Sequence, residues 1–345
     1  MTRHIIMGTQ LRFEVSEQSH IGACRRAAKQ LAERYITDES VVGKISIIAT
    51  ELATNLTRHA GSGELLLQVL DDGALLQMEM LSIDRGPGMS DVDRCLKDGY
   101  STGGTAGNGL GAISRLSTDF DIYSIENSGT IVFSRTTLKK DSAATKPATP
   151  AWFDMGAINL AVAGEIECGD TWRVASDDNN IAMLVVDGLG HGSRAADASQ
   201  AAAKAFSDIP FNAPQQSMQN LHKALAGSRG AAAACAVLNK QNPSVDYAGI
   251  GNISSSVTIN ERSQGMVSHS GILGVQMHTN RQFSYAWPSG SPMIMHSDGL
   301  SARWTLSSYP GLSTRHPAII AAMLYRDFAR KRDDVTVLVA RYRDR

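Results

Sequence analysis

Two kinds of hydrophobic spacing divide the first part of the chain into helices and strands. Over residues 18–35 and 40–60, apolar residues recur every three or four positions, which predicts two helices that each bury one face. Continuous apolar runs bounded by turn residues are typical of strands. In this part of the chain they occupy residues 63–70, 75–84, 120–125 and 129–138.

Strand-like runs dominate the second part of the chain. They occupy residues 152–163, 181–188, 231–239, 244–251, 292–299 and 335–342. Helical spacing is confined mainly to 193–206 and 316–330. Many strands with few helices predict stacked sheets with the helices packed outside them.

A segment without apolar periodicity separates these two parts. Residues 139–151, KKDSAATKPATPA, are rich in Lys, Ala, Thr and Pro, the composition of an interdomain linker. A length of 345 residues also favours two domains over one. The sequence therefore predicts one domain over 1–138 and a second over 152–345.

The composition excludes several classes of protein. A formal net charge of -1 gives no basic surface for nucleic acid. No apolar run approaches the length that a membrane-spanning helix needs, and the first residues lack the apolar core of a signal peptide. The four cysteines are far apart and form no C-x-x-C pair. We therefore expect a cytoplasmic protein with reduced thiols, without nucleic acid or membrane as a partner.

The helix over 40–60 carries a candidate metal ligand. Glu51, Asn55 and His59 are spaced four apart and share a face that differs from the apolar one. An acid and an amide one turn apart suit a hydrated Mg²⁺, which prefers oxygen ligands. Taken by itself, the same pattern also describes an ordinary solvated helix face.

Two glycine clusters follow this helix. In the first, Asp84 is placed to accept a hydrogen bond from the exocyclic amine of a base, and Gly86 and Gly88 let the backbone pass close to a flat ring. In the second, the run STGGTAGNGLG over 101–111 leads into a helix and offers backbone N–H donors for phosphate. Alone, this run also suits a surface loop.

The helix and the two glycine clusters, in this order, resemble the Bergerat-type ATP-binding domain of the GHKL superfamily over residues 10–138. The stretch DGYSTGGTAGNGLGAISRL is most similar to RsbT-type serine/threonine switch kinases. This resemblance implies an α/β sandwich in which Asn55 coordinates Mg²⁺ and Glu51 orients or deprotonates the attacking hydroxyl. It assigns adenine recognition to Asp84, the base pocket to Gly86 and Gly88, and the phosphate loop to Gly107, Gly109 and Gly111.

Acidic residues flanked by glycine or by strands stand out in the second domain. Asp187 and Asp298 each follow an apolar run and precede a glycine, Asp334 immediately precedes such a run, and Asp170 lies in ECGDTW. Acids at strand ends gather hard oxygen ligands around divalent cations, and two such ions activate water for attack on phosphate. The alternative for each single Asp-Gly pair is a turn.

The order GD, DGLGHG, SDGL, DDVT resembles the SpoIIE-type branch of the metal-dependent PPM serine/threonine phosphatases, and is closest to RsbX-like members. That resemblance implies an α-β-β-α sandwich over 152–345. It implies Asp170, Asp187, Asp298, Asp334 and the Gly188 carbonyl as ligands of Mg²⁺ or Mn²⁺, with Asp187 central to catalysis. Gly251 and Asn252 are expected to shape the floor of this site.

Together, the two resemblances imply an α/β (α+β) protein that regulates a partner-switching module. Its first domain is expected to transfer phosphate from ATP to a Ser or Thr of a STAS-domain antagonist protein. Its second is expected to be a metal-dependent protein-serine/threonine phosphatase. One alternative is an anti-sigma factor that binds a sigma factor, or a downstream switch protein, through the ATP domain. Another is a phosphatase regulated by nucleotide without kinase activity.

Overall fold

The computed structural model describes residues 4–96, 109–140, 150–242 and 244–343. The chain forms two compact units, Gly8–Lys146 and Met1–Met7 with Pro147–Arg345. The short strand β1 (His4–Ile6) pairs antiparallel with β8 (Asp170–Ser176) and buries Ile6, so it belongs to the second unit. The first unit therefore begins at Gly8, whereas the sequence prediction began it at residue 1.

The first unit consists of one antiparallel sheet and helices. Its elements are β2 (Gln10–Val15), α1 (Gln18–Glu33), α2 (Glu39–Asn55), β3 (Gly63–Asp71), β4 (Leu75–Asp84), α3 (Val92–Cys95), α4 (Gly109–Leu116), β5 (Asp119–Ser124) and β6 (Thr130–Lys140). The strands lie in the order β2-β3-β4-β6-β5. A core of apolar side chains from α1, α2, α4 and the strands joins the helices to the sheet. This arrangement is the α/β sandwich that the sequence predicts.

Helix α2 forms because its end groups and its apolar stripe both favour it. Asp38 caps its first turn, accepting a hydrogen bond from Ser40 N at 2.9 Å. Ile45, Ile48 and Leu52 are fully buried, as their spacing predicts. Beyond α2 the chain continues through one π-helical turn, Leu56–Ala60, whose wider winding is often found at functional sites.

The second unit is built mainly from strands. After β7 (Phe153–Leu160) and β8 come β9 (Asn180–Gly188), α5 (Ser193–Asp208), α6 (Pro214–Ala224), β10 (Ala231–Asn239), β11 (Ser244–Ile250), β12 (Ser254–Ile259), β13 (Arg262–Gly265), β14 (Ser268–His269), β15 (Gly271–Ile272), β16 (Gln276–Met277), β17 (Phe283–Ala286), β18 (Met293–His296), α7 (Pro317–Phe328) and β19 (Val335–Tyr342). Two 3₁₀ turns, Leu306–Ser308 and Leu312–Thr314, precede α7.

These strands form two main sheets with helices on the outside. One sheet has the order β1-β8-β9-β10-β11-β14, with β17 also paired to β11, and the other has the order β13-β12-β18-β19-β7. Helices α5 and α6 pack on the first sheet and α7 packs on the second. Gly156 of β7 lets α7 approach closely, since a Cβ there would lie 2.1 Å from Ala318 N. The predicted α-β-β-α sandwich is confirmed.

Two further observations concern membrane crossing and cysteine chemistry. Within the described residues, no helix has both the length and the apolar character needed to cross a bilayer. All four cysteines are unpaired, and Cys24 and Cys235 are buried. Burial raises the pKa of the Cys24 thiol to about 11 and that of Cys235 to about 12, so both are protonated at neutral pH.

Two candidate active sites

In the first unit, the end of α2 meets the start of α4. A Cβ on Gly109 would lie 2.7 Å from Glu51 Oε2 and 3.8 Å from Asn55 Oδ1. Gly109 therefore places the first turn of α4 directly over the two polar side chains that the sequence singled out. Glu51 and Asn55 are half-buried, whereas His59 is exposed. This geometry favours the phosphate end of a nucleotide site at Glu51 and Asn55.

Asp84, at the end of β4, is fixed by backbone donors. Its Oδ1 accepts hydrogen bonds from Gly86 N at 2.8 Å and Thr130 N at 3.0 Å. The sequence alone did not identify Thr130, because it lies 46 residues further along the chain. Its hydroxyl is 2.9 Å from Ser124 Oγ, which accepts from Met89 N at 2.8 Å. One network thus ties the acid to the first strand residue of β6.

The two glycines after Asp84 allow close backbone contacts. A Cβ on Gly86 would lie 2.6 Å from Ala60 Cα, in the π-helical turn. Gly88 has a φ of +67°, and a Cβ there would lie 2.1 Å from Ile125 O. A side chain at Gly86 would push the loop away from the π-helical turn that follows α2, and one at Gly88 would push it away from the β5–β6 hairpin. Gly111 is buried in α4, and the predicted phosphate-loop residue Gly107 lies outside the described residues.

In the second unit, the ends of strands from both main sheets carry the predicted acids Asp170, Asp187, Asp298 and Asp334. These four residues are called the acidic edge. Asp170 and Asp187 are directly opposite each other in the β8–β9 ladder. Asp298 Oδ2 accepts a hydrogen bond from Asn252 Nδ2 at 2.9 Å, which holds the loop after β18 against the loop after β11. Asp334 lies at the start of β19, which pairs with β18. The four acids therefore lie in or beside the ends of four strands, β8, β9, β18 and β19.

Glycines allow the backbone segments at this edge to touch. Gly188 N donates to Gly169 O at 3.1 Å, and a Cβ on Gly188 would lie 2.2 Å from Ala195 O. A Cβ on Gly299 would lie 1.8 Å from Asp334 O. The Asp-Gly pair at 187–188 lies in β9, whereas the pair at 298–299 forms a turn in which Leu300 N donates to Ser297 O at 3.2 Å. Both pairs are points of close approach between chain segments.

The acids repel one another in a buried environment. Burial is the main cause of the raised pKa of Asp170, which lies well above its usual range, and the neighbouring Asp187 and Asp334 add to it. Burial also raises the pKa of Asp187 to about 7, with contributions from Asp298 and Asp333. Asp170 Oδ2 is buried and makes no hydrogen bond to any residue that the structure describes. A divalent cation would relieve both the repulsion and this orphaned oxygen.

Asp334 differs from the other predicted ligands. Its Oδ1 accepts from Val162 N and its Oδ2 from Gly169 N, both at 2.7 Å, so it anchors the loop before β8. The adjacent Asp333 has a pKa raised by partial burial and by Asp298. The sequence singles out Asp334 of this pair, and in the folded protein both Asp333 and Asp334 contribute to the raised pKa of Asp187.

Two side-chain pairs border the acidic edge. His191, in the DGLGHG loop, lies with Nδ1 2.7 Å from Glu165 Oε1. Asn159 donates to Asp170 O at 3.2 Å and to Thr336 Oγ1 at 2.7 Å, which fixes the start of β8. In the described part of the chain, no three His, Cys, Asp or Glu side chains are already arranged to enclose an ion. The acids provide the ligand types, and their side chains would have to converge on binding.

Comparisons with known proteins agree with this division of the chain. Residues 15–135 match the model of the histidine kinase-like ATPase domain, and residues 177–343 match that of stage II sporulation protein E, SpoIIE. The first part is similar to serine/threonine-protein kinase RsbT of Bacillus subtilis (strain 168), with 27% identity over 124 residues. This alignment covers 36% of this chain and 93% of RsbT.

The second part is similar to phosphoserine phosphatase RsbX of the same organism, with 26% identity over 139 residues. That alignment covers 40% of this chain and 70% of RsbX. A crystal structure of RsbX in complex with magnesium superimposes with a TM-score of 0.51 and 22% identity, covering 56% of this chain and 96% of that one. This likeness supports the fold of the second unit.

Proposed function

We propose that this chain, which joins a histidine kinase-like ATPase domain to a SpoIIE-type PPM phosphatase domain, adds and removes phosphate within one bacterial partner-switching module. The first domain would phosphorylate a Ser or Thr of a STAS-domain antagonist protein. The second would hydrolyse a phosphoserine or phosphothreonine in a protein of the same module. The convergence of two buried and two half-buried acids at the ends of four strands is the observation that carries the phosphatase half.

The donor set at the acidic edge suits Mg²⁺ or Mn²⁺. Asp170, Asp187, Asp298 and the Gly188 carbonyl would hold the ions, with Asp333 or Asp334 completing the set. When bound, such ions lower the pKa of a coordinated water and neutralise phosphate charge. Asp187 is central because it lies opposite Asp170 in the β8–β9 ladder and its carboxylate is repelled by those of Asp298 and Asp333.

The chain's own residues would orient the phosphate and the leaving group. Asn252 fixes Asp298, and Asn159 fixes the backbone of Asp170, so both acids would stay in place as charge changes during hydrolysis. His191, whose Nδ1 lies 2.7 Å from Glu165 Oε1 at the exposed rim, would donate a proton to a departing serine oxygen.

In the ATPase domain, positioning would dominate the chemistry, as phosphoryl transfer requires. Asn55 would hold Mg²⁺ against the phosphates, and Glu51 would orient or deprotonate the partner's hydroxyl. Asp84, fixed by Gly86 N and Thr130 N, would recognise adenine. The contact of Gly109 with Glu51 supports this assignment because it brings the end of the phosphate loop to the proposed base.

The phosphatase half is tested with Asp187→Asn. This change removes a charge from the metal site while keeping the side-chain volume, so Mn²⁺-dependent release of phosphate from a phosphorylated STAS protein should fall at least about a hundredfold. Asp197→Asn, at an exposed position on α5, is the control and should keep full activity. Full activity of Asp187→Asn would refute the metal-dependent mechanism.

The kinase half is tested with Asn55→Ala. Loss of the amide oxygen should abolish transfer of ³²P from labelled ATP to the STAS protein. Gln30→Ala, at an exposed position on α1, should leave transfer unchanged. Unchanged transfer in Asn55→Ala would exclude the proposed role in magnesium binding. Absence of transfer in the unmodified protein, with ATP bound, would instead indicate a nucleotide-regulated phosphatase.

A further inference from the structure

A cavity lined by several serines lies beside the acidic edge of the second unit. It has a volume of about 420 Å³, within the range of protein sites that hold small ligands. Asn252 lines it and also donates to Asp298, so the cavity shares a wall with the proposed metal site. His296 lines it as well, two residues before Asp298. An occupant of this cavity would therefore lie next to a phosphate bound at the acids.

The lining combines serine hydroxyls with apolar side chains and carries no carboxylate, lysine or arginine. Five of the described lining residues are serines, namely Ser254, Ser255, Ser256, Ser263 and Ser268, and none of the lining residues is Asp, Glu, Lys or Arg. Serine hydroxyls both donate and accept hydrogen bonds. The lining thus favours an uncharged, hydrogen-bonding group over an ion.

Trp304 gives the cavity a rigid aromatic wall. Its indole ring is held edge-on to His296, with ring centroids 6.0 Å apart. Its Nε1 atom is buried away from solvent, so the hydrogen-bonding groups open to an occupant are those of the serines and Asn252.

We propose that this cavity binds the peptide segment that flanks the phosphorylated residue of the substrate protein. The inference rests on the proposed phosphatase function and names a specificity site for it. A phosphoserine bound at the acids would bring its neighbouring residues to Asn252 and the cavity. The absence of Asp, Glu, Lys and Arg from the lining selects small, uncharged flanking residues, and the serine hydroxyls and Asn252 supply hydrogen-bonding groups for the peptide backbone.

Strand β13 forms one wall of the cavity, and a substitution there can obstruct the cavity. This strand is the edge of its sheet, and its residues are exposed. A Cβ on Gly265 would meet nothing within 4 Å, so a larger side chain there would occupy open space. Gly265 and Ser263 line the cavity, while Gln264 between them faces the opposite side.

The test compares Gly265→Leu with Gln264→Leu, which adds the same side chain on the other face of the strand. The substrates are a heptapeptide with a central phosphoserine between serine and glycine residues, the same peptide with lysine or glutamate flanks, and p-nitrophenyl phosphate, which has no flanking chain. Each is assayed with Mn²⁺ for kcat and KM.

The unmodified protein should prefer the serine–glycine peptide over the charged peptides. Gly265→Leu should lower kcat/KM for that peptide by about tenfold or more, mainly through KM, and leave p-nitrophenyl phosphate hydrolysis unchanged. Gln264→Leu should behave as the unmodified protein. Ser263→Leu, at an exposed position, gives a second obstruction should Gly265→Leu fold poorly.

The two proposals fail in different ways. If the unmodified protein hydrolyses all three substrates and both obstructing variants retain its peptide preference and KM, the cavity is not the peptide site, although the phosphatase function stands. Equal loss on peptide and p-nitrophenyl phosphate in both folded variants would also contradict it. If the unmodified protein hydrolyses none of them with Mn²⁺, the phosphatase function and this inference both fail.

Discussion

At the scale of single residues, the acidic edge of the second unit combines burial with mutual repulsion. Asp170 is buried, and the charges of Asp187 and Asp334 raise its pKa further. The charges of Asp298 and Asp333 likewise raise the pKa of Asp187. A cluster of this kind disfavours ionisation of each carboxyl, and so opposes folding as the pH rises in the absence of a cation. Divalent metal should therefore act as a stabilising ligand of the folded state.

A pH series of thermal unfolding tests this prediction. The pKa of Asp187 is about 7 in the folded protein, against an ordinary value of 3.8. Between these values the folded state binds more protons than the unfolded state, so the metal-free protein should lose stability as the pH rises from about 4 to 7. The increase in Tm that Mn²⁺ gives should be larger at pH 7.5 than at pH 5.5. A metal-induced increase that is equal or larger at pH 5.5 would contradict the assignment.

The neighbours Asp333 and Asp334 should respond differently to loss of charge. Asp334 already accepts hydrogen bonds from two backbone N–H donors in the loop before β8, whereas Asp333 accepts one from Asp334 N and its pKa is raised in part by Asp298. Asp333→Asn should weaken Mn²⁺ binding, measured by calorimetry, by about tenfold or more. Asp334→Asn should mainly destabilise the fold, by about 1–3 kcal/mol, because one backbone donor loses its acceptor. Unchanged Mn²⁺ affinity in Asp333→Asn would remove this residue from the ligand set.

At the scale of elements, the glycines control how closely strands and loops approach. Gly299→Ala would place a methyl group against Asp334 O, where the nearest atoms are backbone and cannot rotate away. The change should cost about 3 kcal/mol or more of unfolding free energy and reduce metal affinity, since it separates β18 from β19 at the site. Denaturant unfolding measures the first effect. A loss below about 1 kcal/mol would show that this contact is looser than the structure indicates.

The main helices and strands could be predicted from hydrophobic spacing because each buries a long apolar stretch. The runs at 231–239 and 335–342 match β10 and β19 residue for residue. The missed elements are the strands β1, β2, β8, β12 and β13 to β17 and the helices α3 and α6. The shortest of these have only two to four residues, which carry no periodicity. Their pairing depends on partners distant in sequence, such as β8 for β1.

Some residues of the candidate sites could be predicted from local sequence signals, and others depend on contacts between distant parts of the chain. Asp187, Asp298, Glu51 and Asn55 carry local signals, an acid before glycine or an i, i+4 pair on a helix. Thr130 was missed because its link to Asp84 crosses 46 residues. The choice between Asp333 and Asp334 could not be made from DDVT, because both acids have the same sequence context. The hydrogen bonds that each carboxylate accepts from backbone N–H groups distinguish Asp333 from Asp334 in the folded protein.

At the scale of the whole molecule, the proposed function gives the chain two sites for opposite reactions on phosphate. A protein that both adds and removes phosphate would set the phosphorylation level of its partner by the ratio of two rates. ATP supply would act on the first rate and divalent metal on both. The output should therefore vary continuously with these conditions rather than switch fully on or off.

One measurement tests this central claim most directly. The full chain is incubated with ³²P-labelled ATP, Mg²⁺, Mn²⁺ and the STAS protein encoded nearest its gene, and label on that protein is followed over time. We predict a rise and then a fall as ATP is consumed, sustained label with Asp187→Asn, and no label with Asn55→Ala. Label that rises and persists identically in the unmodified protein and Asp187→Asn, or appears in Asn55→Ala, would contradict the account.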